Sequence, residues 1–174
     1  MSGSRRLVYW DTGLFIAMIT NERRNDPADL QGIHEQVRLI EKDPPLLYMA
    51  TSVITLTEIL RIKLLPTAVQ TFEQIFQRQN CQMYDVNVRI AYVAQEIREF
   101  YSGRNDDLPT IETPDALHLA TAIVYDCQTF YTLDMKDRLG KGRSLLSLSG
   151  KPVAGRYHIE VSKPIPKQYT MLLP

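Results

Sequence analysis

The chain has 174 residues, 44% of them hydrophobic and 23% charged, and its twenty basic side chains balance twenty acidic ones. That length fits one domain (1–174) with a sizeable core. The neutral balance excludes a polycation that coats nucleic acid but leaves room for a local basic patch, and no apolar run is long enough to span a bilayer.

In chain order, "RLVYW" (6–10) reads as a buried strand and "GLFIAMI" (13–19) as the helix after it. "ADLQGIHEQVRLIEK" (28–42) places Leu30, Ile33, Val37 and Ile40 at helical spacing. "LLYMAT" (46–51) is a second strand, "VITLTEILRIKLL" (53–65) a helix ended by Pro66, and "PTAVQTFEQIFQRQ" (66–79) a helix opened by that proline. "CQMYDV" (81–86) is a third strand, and "VRIAYVAQEIREFY" (88–101) an amphipathic helix. After the polar loop "RNDDLPTIETP" (104–114), "TPDALHLATA" opens an apolar helix that runs to about Asp126. "TFYTL" (129–133) and "YHIEV" (157–161) are the last strands, and from about Ser162 the proline-bearing tail is extended. Strands alternating with helices predict an α/β fold with a parallel sheet covered on both faces. Cys81 and Cys127 have no CxxC or zinc-type spacing, and no secretory signal precedes Asp11. They predict reduced thiols in a cytoplasmic protein.

Ligands of open parallel sheets bind beyond the carboxyl ends of the strands. Asp11 follows the first strand, Asp134 follows "TFYTL", Asp115 opens an apolar helix, and Glu58 sits inside "VITLTEIL". Singly, each has a plain structural reading. Asp11 fits a helix N-cap, Thr113 with Pro114 is an ordinary helix start, Glu58 a solvent-facing residue, and Asp134 a turn residue. Jointly, four acids from four apolar segments would repel one another in one cleft unless a cation met them. Oxygen-only ligands suit Mg²⁺, with Mn²⁺ able to substitute. Such an ion can activate water and offset charge on a phosphodiester. His118, one turn after Asp115, reads as a core or supporting histidine rather than a ligand.

The segments "VYWDTGLFIA", "TSVITLTEIL", "TPDALHLATA" and "FYTLDMKD" together resemble the PIN-domain family, and within it the VapC-like toxin ribonucleases. The resemblance implies a three-layer α/β/α sandwich around a parallel sheet, and metal-dependent hydrolysis of RNA. It implies that Asp11, Glu58, Asp115 and Asp134 are the acidic metal-binding and catalytic residues. Thr12 and Thr132 match hydroxyl positions beside the site, and Asp137 a further acid of some members. It also implies a cognate antitoxin and a homodimer. The link "GKGRSLLSLSGKPVAG" (140–155) and the tail after Val161 are longer than a compact toxin of this kind needs. Arg61, Lys63 and the run "KDRLGKGR" (136–143) are the basic residues near the acids that RNA phosphates would meet. Two other readings stand beside this one. One is a catalytically silent PIN-like module that binds RNA or protein. The other is an aspartate-nucleophile phosphatase, whose chemistry wants a second acid where Gly13 stands.

Overall fold

The computed structural model describes residues 6–21, 27–42, 45–102, 110–135 and 144–166. Within them, strands β1 (Arg6–Trp10), β2 (Leu47–Ser52), β3 (Cys81–Tyr84), β4 (Thr129–Tyr131) and β5 (Glu160–Ser162) form one sheet in the order β3-β2-β1-β4-β5. Every pairing is parallel. The helices are α1 (Thr12–Thr20), α2 (Pro27–Glu41), α3 (Val53–Arg61), α4 (Pro66–Ile75), α5 (Val88–Tyr101) and α6 (Thr113–Val124).

The two-residue period of the strands sorts their side chains onto two faces. Tyr9, Ala50, Phe130 and Val161 join Ile90 and Ile97 of α5 and Leu119 of α6 in one buried cluster. Val8, Trp10, Met49, Cys81 and Tyr131 join Phe15 of α1, Ile33 of α2, Ile59 of α3 and Phe72 of α4 in the other. The result is a three-layer α/β/α sandwich. The chain winds outward from β1 through β2 to β3, then returns to the other side of β1 for β4 and β5. That reversal puts the ligand crevice of such a sheet where β1 and β4 end side by side.

Several boundaries differ from those expected. α3 stops at Arg61, four residues short, because Ile62 turns extended (φ −83°, ψ 130°) and its N–H closes on Ile59 O. Leu65 is extended as well, as the residue before Pro66 must be. α4 ends at Ile75 rather than 79, and the turns after it are held by Asn80, whose amide donates to Ile40 O (3.0 Å) and Leu47 O (2.8 Å). β4 ends at Tyr131, where the next residues turn to bonds of their own described below. The last strand is Glu160–Ser162, not 157–161. Tyr157 instead bridges back to Val153 around a turn in which Ala154 and Gly155 have φ of 50° and 69°. The link before it holds a short 3-10 helix, Leu145–Leu148, that the sequence pattern did not reveal.

The start of the tail is packed. Lys163 Nζ meets the buried Asp29 at 2.9 Å, and Pro164 crosses α2 so closely that a Cβ on Gly32 would lie 1.6 Å from its carbonyl oxygen. Gly32 is therefore required by contact. Both cysteines are free and buried, and burial pushes the Cys81 and Cys127 thiols up to about 11 and 12. Among the described residues no helix is long and apolar enough to cross a membrane.

Candidate active site

Asp11 ends β1 and caps α1. Its N–H donates to Tyr131 O (3.0 Å), which ties the ends of β1 and β4 together. Its Oδ1 accepts from Thr12 N–H (2.7 Å) and its Oδ2 from the Thr132 hydroxyl (2.8 Å). The capping reading is therefore correct for Asp11, and it does not compete with a place in the crevice. Thr132 Oγ1 also accepts from Asp134 N–H (3.0 Å), so one hydroxyl joins two of the acids. Asp134 Oδ2 accepts from Leu145 N–H at 3.0 Å, which anchors the 3-10 helix beside the crevice.

Glu58 reaches the same region from α3. Its Oε2 accepts from the Thr12 hydroxyl and lies 3.1 Å from His118 Nε2. His118 Nδ1 is 2.7 Å from the Tyr9 hydroxyl, and both rings are buried. Behind them Thr12, Thr55 and Thr51 form a chain of hydroxyls that ends on Trp10 O.

Asp115 lies in the first turn of α6. The helix begins one residue earlier than expected. Glu112, not Thr113, is the N-cap, since its carbonyl already accepts from Ala116 N–H (2.9 Å), and its side chain makes no cap bond. No hydrogen-bond donor meets the Asp115 carboxylate among the described residues.

Burial, then the charges of Asp11 and Asp134, push the Asp115 carboxyl up to about 7, and His118 offsets only part of this. Burial also raises Asp11, with His118, Thr132 and Thr12 N–H working against it and Glu58 adding to it. Glu58 moves the other way. Burial works to raise it, but hydrogen bonds from His118 and Thr12 outweigh that and hold it below its ordinary value. Tyr9 is raised well above the usual phenol range by burial and so keeps its proton.

The four acids thus share one region, three joined through Thr12 and Thr132 and the fourth through its field. They do not form a ready-made cage: among the described residues no three acidic, His or Cys side chains are grouped to hold an ion. The donor set still fits a hard divalent cation in kind. It is oxygen only, and besides burial the rise at Asp115 contains repulsion from Asp11 and Asp134 that a cation would relieve. Arg61 and Lys63 are exposed, and the charge of Arg61 helps lower Glu58. Asp137 and the run 136–143 lie outside the described residues. Sequence reasoning missed Tyr9, Thr51 and Thr55. The available signal was the hydroxyl at every fourth position of "TSVIT" at a strand–helix junction.

The sequence model of the PIN domain family matches residues 8–138. No curated protein matches the chain. Among solved structures, the chain is similar in fold to VapBC2 from Rickettsia felis bound to a DNA fragment from its promoter. The TM-score is 0.53 at 18% identity, over 78% of this chain and 94% of that one. A toxin–antitoxin complex from Klebsiella pneumoniae matches with a TM-score of 0.48 and 19% identity, over 76% of this chain and 91% of that one.

Proposed function

The chain belongs to the PIN-domain family, and from that premise we propose that it is a metal-dependent endoribonuclease and the toxin of a toxin–antitoxin pair. The observation that carries the nuclease reading is Asp115: a carboxyl pushed up to about 7 by burial and then by the charges of Asp11 and Asp134, at the carboxyl ends of β1 and β4. Carboxyls perturbed by burial and by one another in a crevice are a common mark of a ligand site. Asp11, Asp115, Asp134 and Glu58 would hold Mg²⁺ or Mn²⁺, and the bound ion supplies a Lewis acid for phosphate oxygens and for water.

The rest falls to the chain itself. Thr12 N–H and Thr132 fix both oxygens of Asp11. The N-terminus of α6 favours a negative charge at Asp115. Glu58, held ionised, accepts a hydrogen bond from the attacking water and orients it in line with the phosphorus–oxygen bond that breaks. Arg61 and Lys63 meet backbone phosphates, giving affinity without base choice.

The partner reading has weaker support. The chain has the fold of VapBC2 from Rickettsia felis. Leu60 (60% exposed), Ile62 (37%) and Leu65 (73%) leave an apolar surface where α3 ends. We place a small antitoxin there, with an Arg or Lys reaching toward Asp11 and Asp115. A homodimer in the cytoplasm completes the proposal.

A silent binding module is the second reading. It is favoured by the protein donors already engaging Asp11, Glu58 and Asp134. Cleavage of a mixed RNA pool separates the two. The nuclease gives Mg²⁺- or Mn²⁺-dependent products that EDTA and Asp115→Asn both abolish, while Ca²⁺ supports cleavage poorly. The silent module binds the pool and leaves it intact. Co-expression with the adjacent small reading frame tests the partner: the chain should arrest growth alone and not with its neighbour.

A further inference from the structure

Glu58 is the one acid of the site held by an imidazole, and the donor inventory fixes the sense of that bond. An ionised carboxylate only accepts, so His118 Nε2 must carry a proton and donate to Glu58 Oε2 across 3.1 Å. In the neutral ring Nδ1 is then an acceptor, and the Tyr9 hydroxyl donates to it across 2.7 Å. The Thr12 hydroxyl donates to the same Oε2. Oε2 is therefore occupied by two donors. Glu58 Oε1 has no protein donor among the described residues, and the side chain is 28% exposed. The other end of the chain cannot drift. Tyr9 is fully buried and stacked on Phe130 (ring centroids 5.2 Å apart), and it meets the His118 ring edge-on at 5.8 Å.

We propose that His118 is a positioning residue of this site: the buried chain Tyr9–His118–Glu58 clamps Oε2 and leaves Oε1 as the working oxygen. The proposal rests on the reading of Glu58 as an acid of the nuclease. It gives a fourth carboxylate, carried on a different helix from Asp115, a fixed orientation before any ligand arrives. Partners behind a ligand commonly change affinity or activity by about 10- to 100-fold when removed.

Two substitutions separate positioning from packing. The amide nitrogen of His118→Gln lies near the former Nε2 and can still donate to Glu58. That of His118→Asn lies near the former Nδ1 and cannot. Mn²⁺ affinity, read from free-ion EPR, and RNA cleavage are measured for both in the wild-type and Glu58→Gln backgrounds, with melting curves as the folding control. We expect His118→Asn to weaken Mn²⁺ binding and cleavage by about 10-fold or more, His118→Gln to lose clearly less, and neither to lose anything further once Glu58 is Gln. Equal losses for Gln and Asn, or a His118→Asn loss that persists undiminished in the Glu58→Gln background, overturn the positioning role while leaving the nuclease reading intact. If Glu58→Gln itself changes neither readout, the assignment of Glu58 fails, and this proposal fails with it. Tyr9→Phe, which removes only the hydroxyl behind the ring, carries the same double-background test should His118→Asn not melt cooperatively.

Discussion

Asp29 and Asp115 both stand in the first turn of a helix with a proline among its first two residues, and the molecule treats them in opposite ways. Asp29 is 6% exposed and is met by Lys163 Nζ at 2.9 Å, at the cost of bringing a chain segment across α2 at Gly32. Asp115 is buried with Asp11 and Asp134 as charged neighbours, and burial first and then their charges raise its carboxyl to about 7. Burying a carboxylate is expensive unless it is paired. The α2 junction shows that this fold supplies a cation when a charge is structural. Among the described residues no lysine or arginine meets Asp115, and on the proposed reading that end of the sheet is the place for a cationic ligand.

The largest test of this contrast is Asp115→Asn. Losing one ligand and its charge should reduce RNA cleavage on the order of a thousandfold, measured as initial rate with Mg²⁺. Asp29→Asn should leave that rate unchanged. Next is Lys163→Met, which removes the ammonium that meets the buried Asp29. It should lower stability by about 3 kcal/mol in urea unfolding, and Asp29→Asn in the same chain should restore most of it. Gly32→Ala should cost a comparable amount, because the new Cβ displaces Pro164 and with it the lysine.

This contrast was only half legible in the sequence. The order of strands and helices was readable because each has its own hydrophobic period, as in "RLVYW" and "VRIAYVAQEIREFY". Asp11 and Asp134 stood out because they follow strands directly. The pairing of Asp29 with Lys163 was not readable. It joins residues 134 positions apart through the path of the tail, and no local pattern encodes that. The roles of Tyr9 and Thr55 were hidden for a related reason. A Tyr in a strand and a Thr in a helix look like filler until the fold turns the first onto His118 and the second onto Thr12 and Thr51. The 3-10 helix 145–148 escaped because four residues are too few to show a period.

A smaller effect follows from pH. A carboxyl raised in the folded state stabilises the fold below the unfolded value near 3.9 and loses that contribution as pH rises through about 7. In EDTA, wild type should therefore lose stability relative to Asp115→Asn between pH 4 and 8. Allowing for partial exposure, the loss is on the order of 2 kcal/mol. Urea unfolding of the two proteins across that range reads the difference directly. Parallel curves would mean that the fold does not raise the Asp115 carboxyl.

The central claim is that Asp115 is left uncompensated for a divalent cation, and thermal melting at pH 7.5 with and without Mn²⁺ tests it most directly. A ligand bound only by the folded state at a hundred times its Kd adds about 2.7 kcal/mol. Wild type should melt several degrees higher with Mn²⁺ than with EDTA. Asp115→Asn should start higher in EDTA and gain little from the metal. A wild-type melting point indifferent to Mn²⁺, or an equal gain in the variant, would contradict the account.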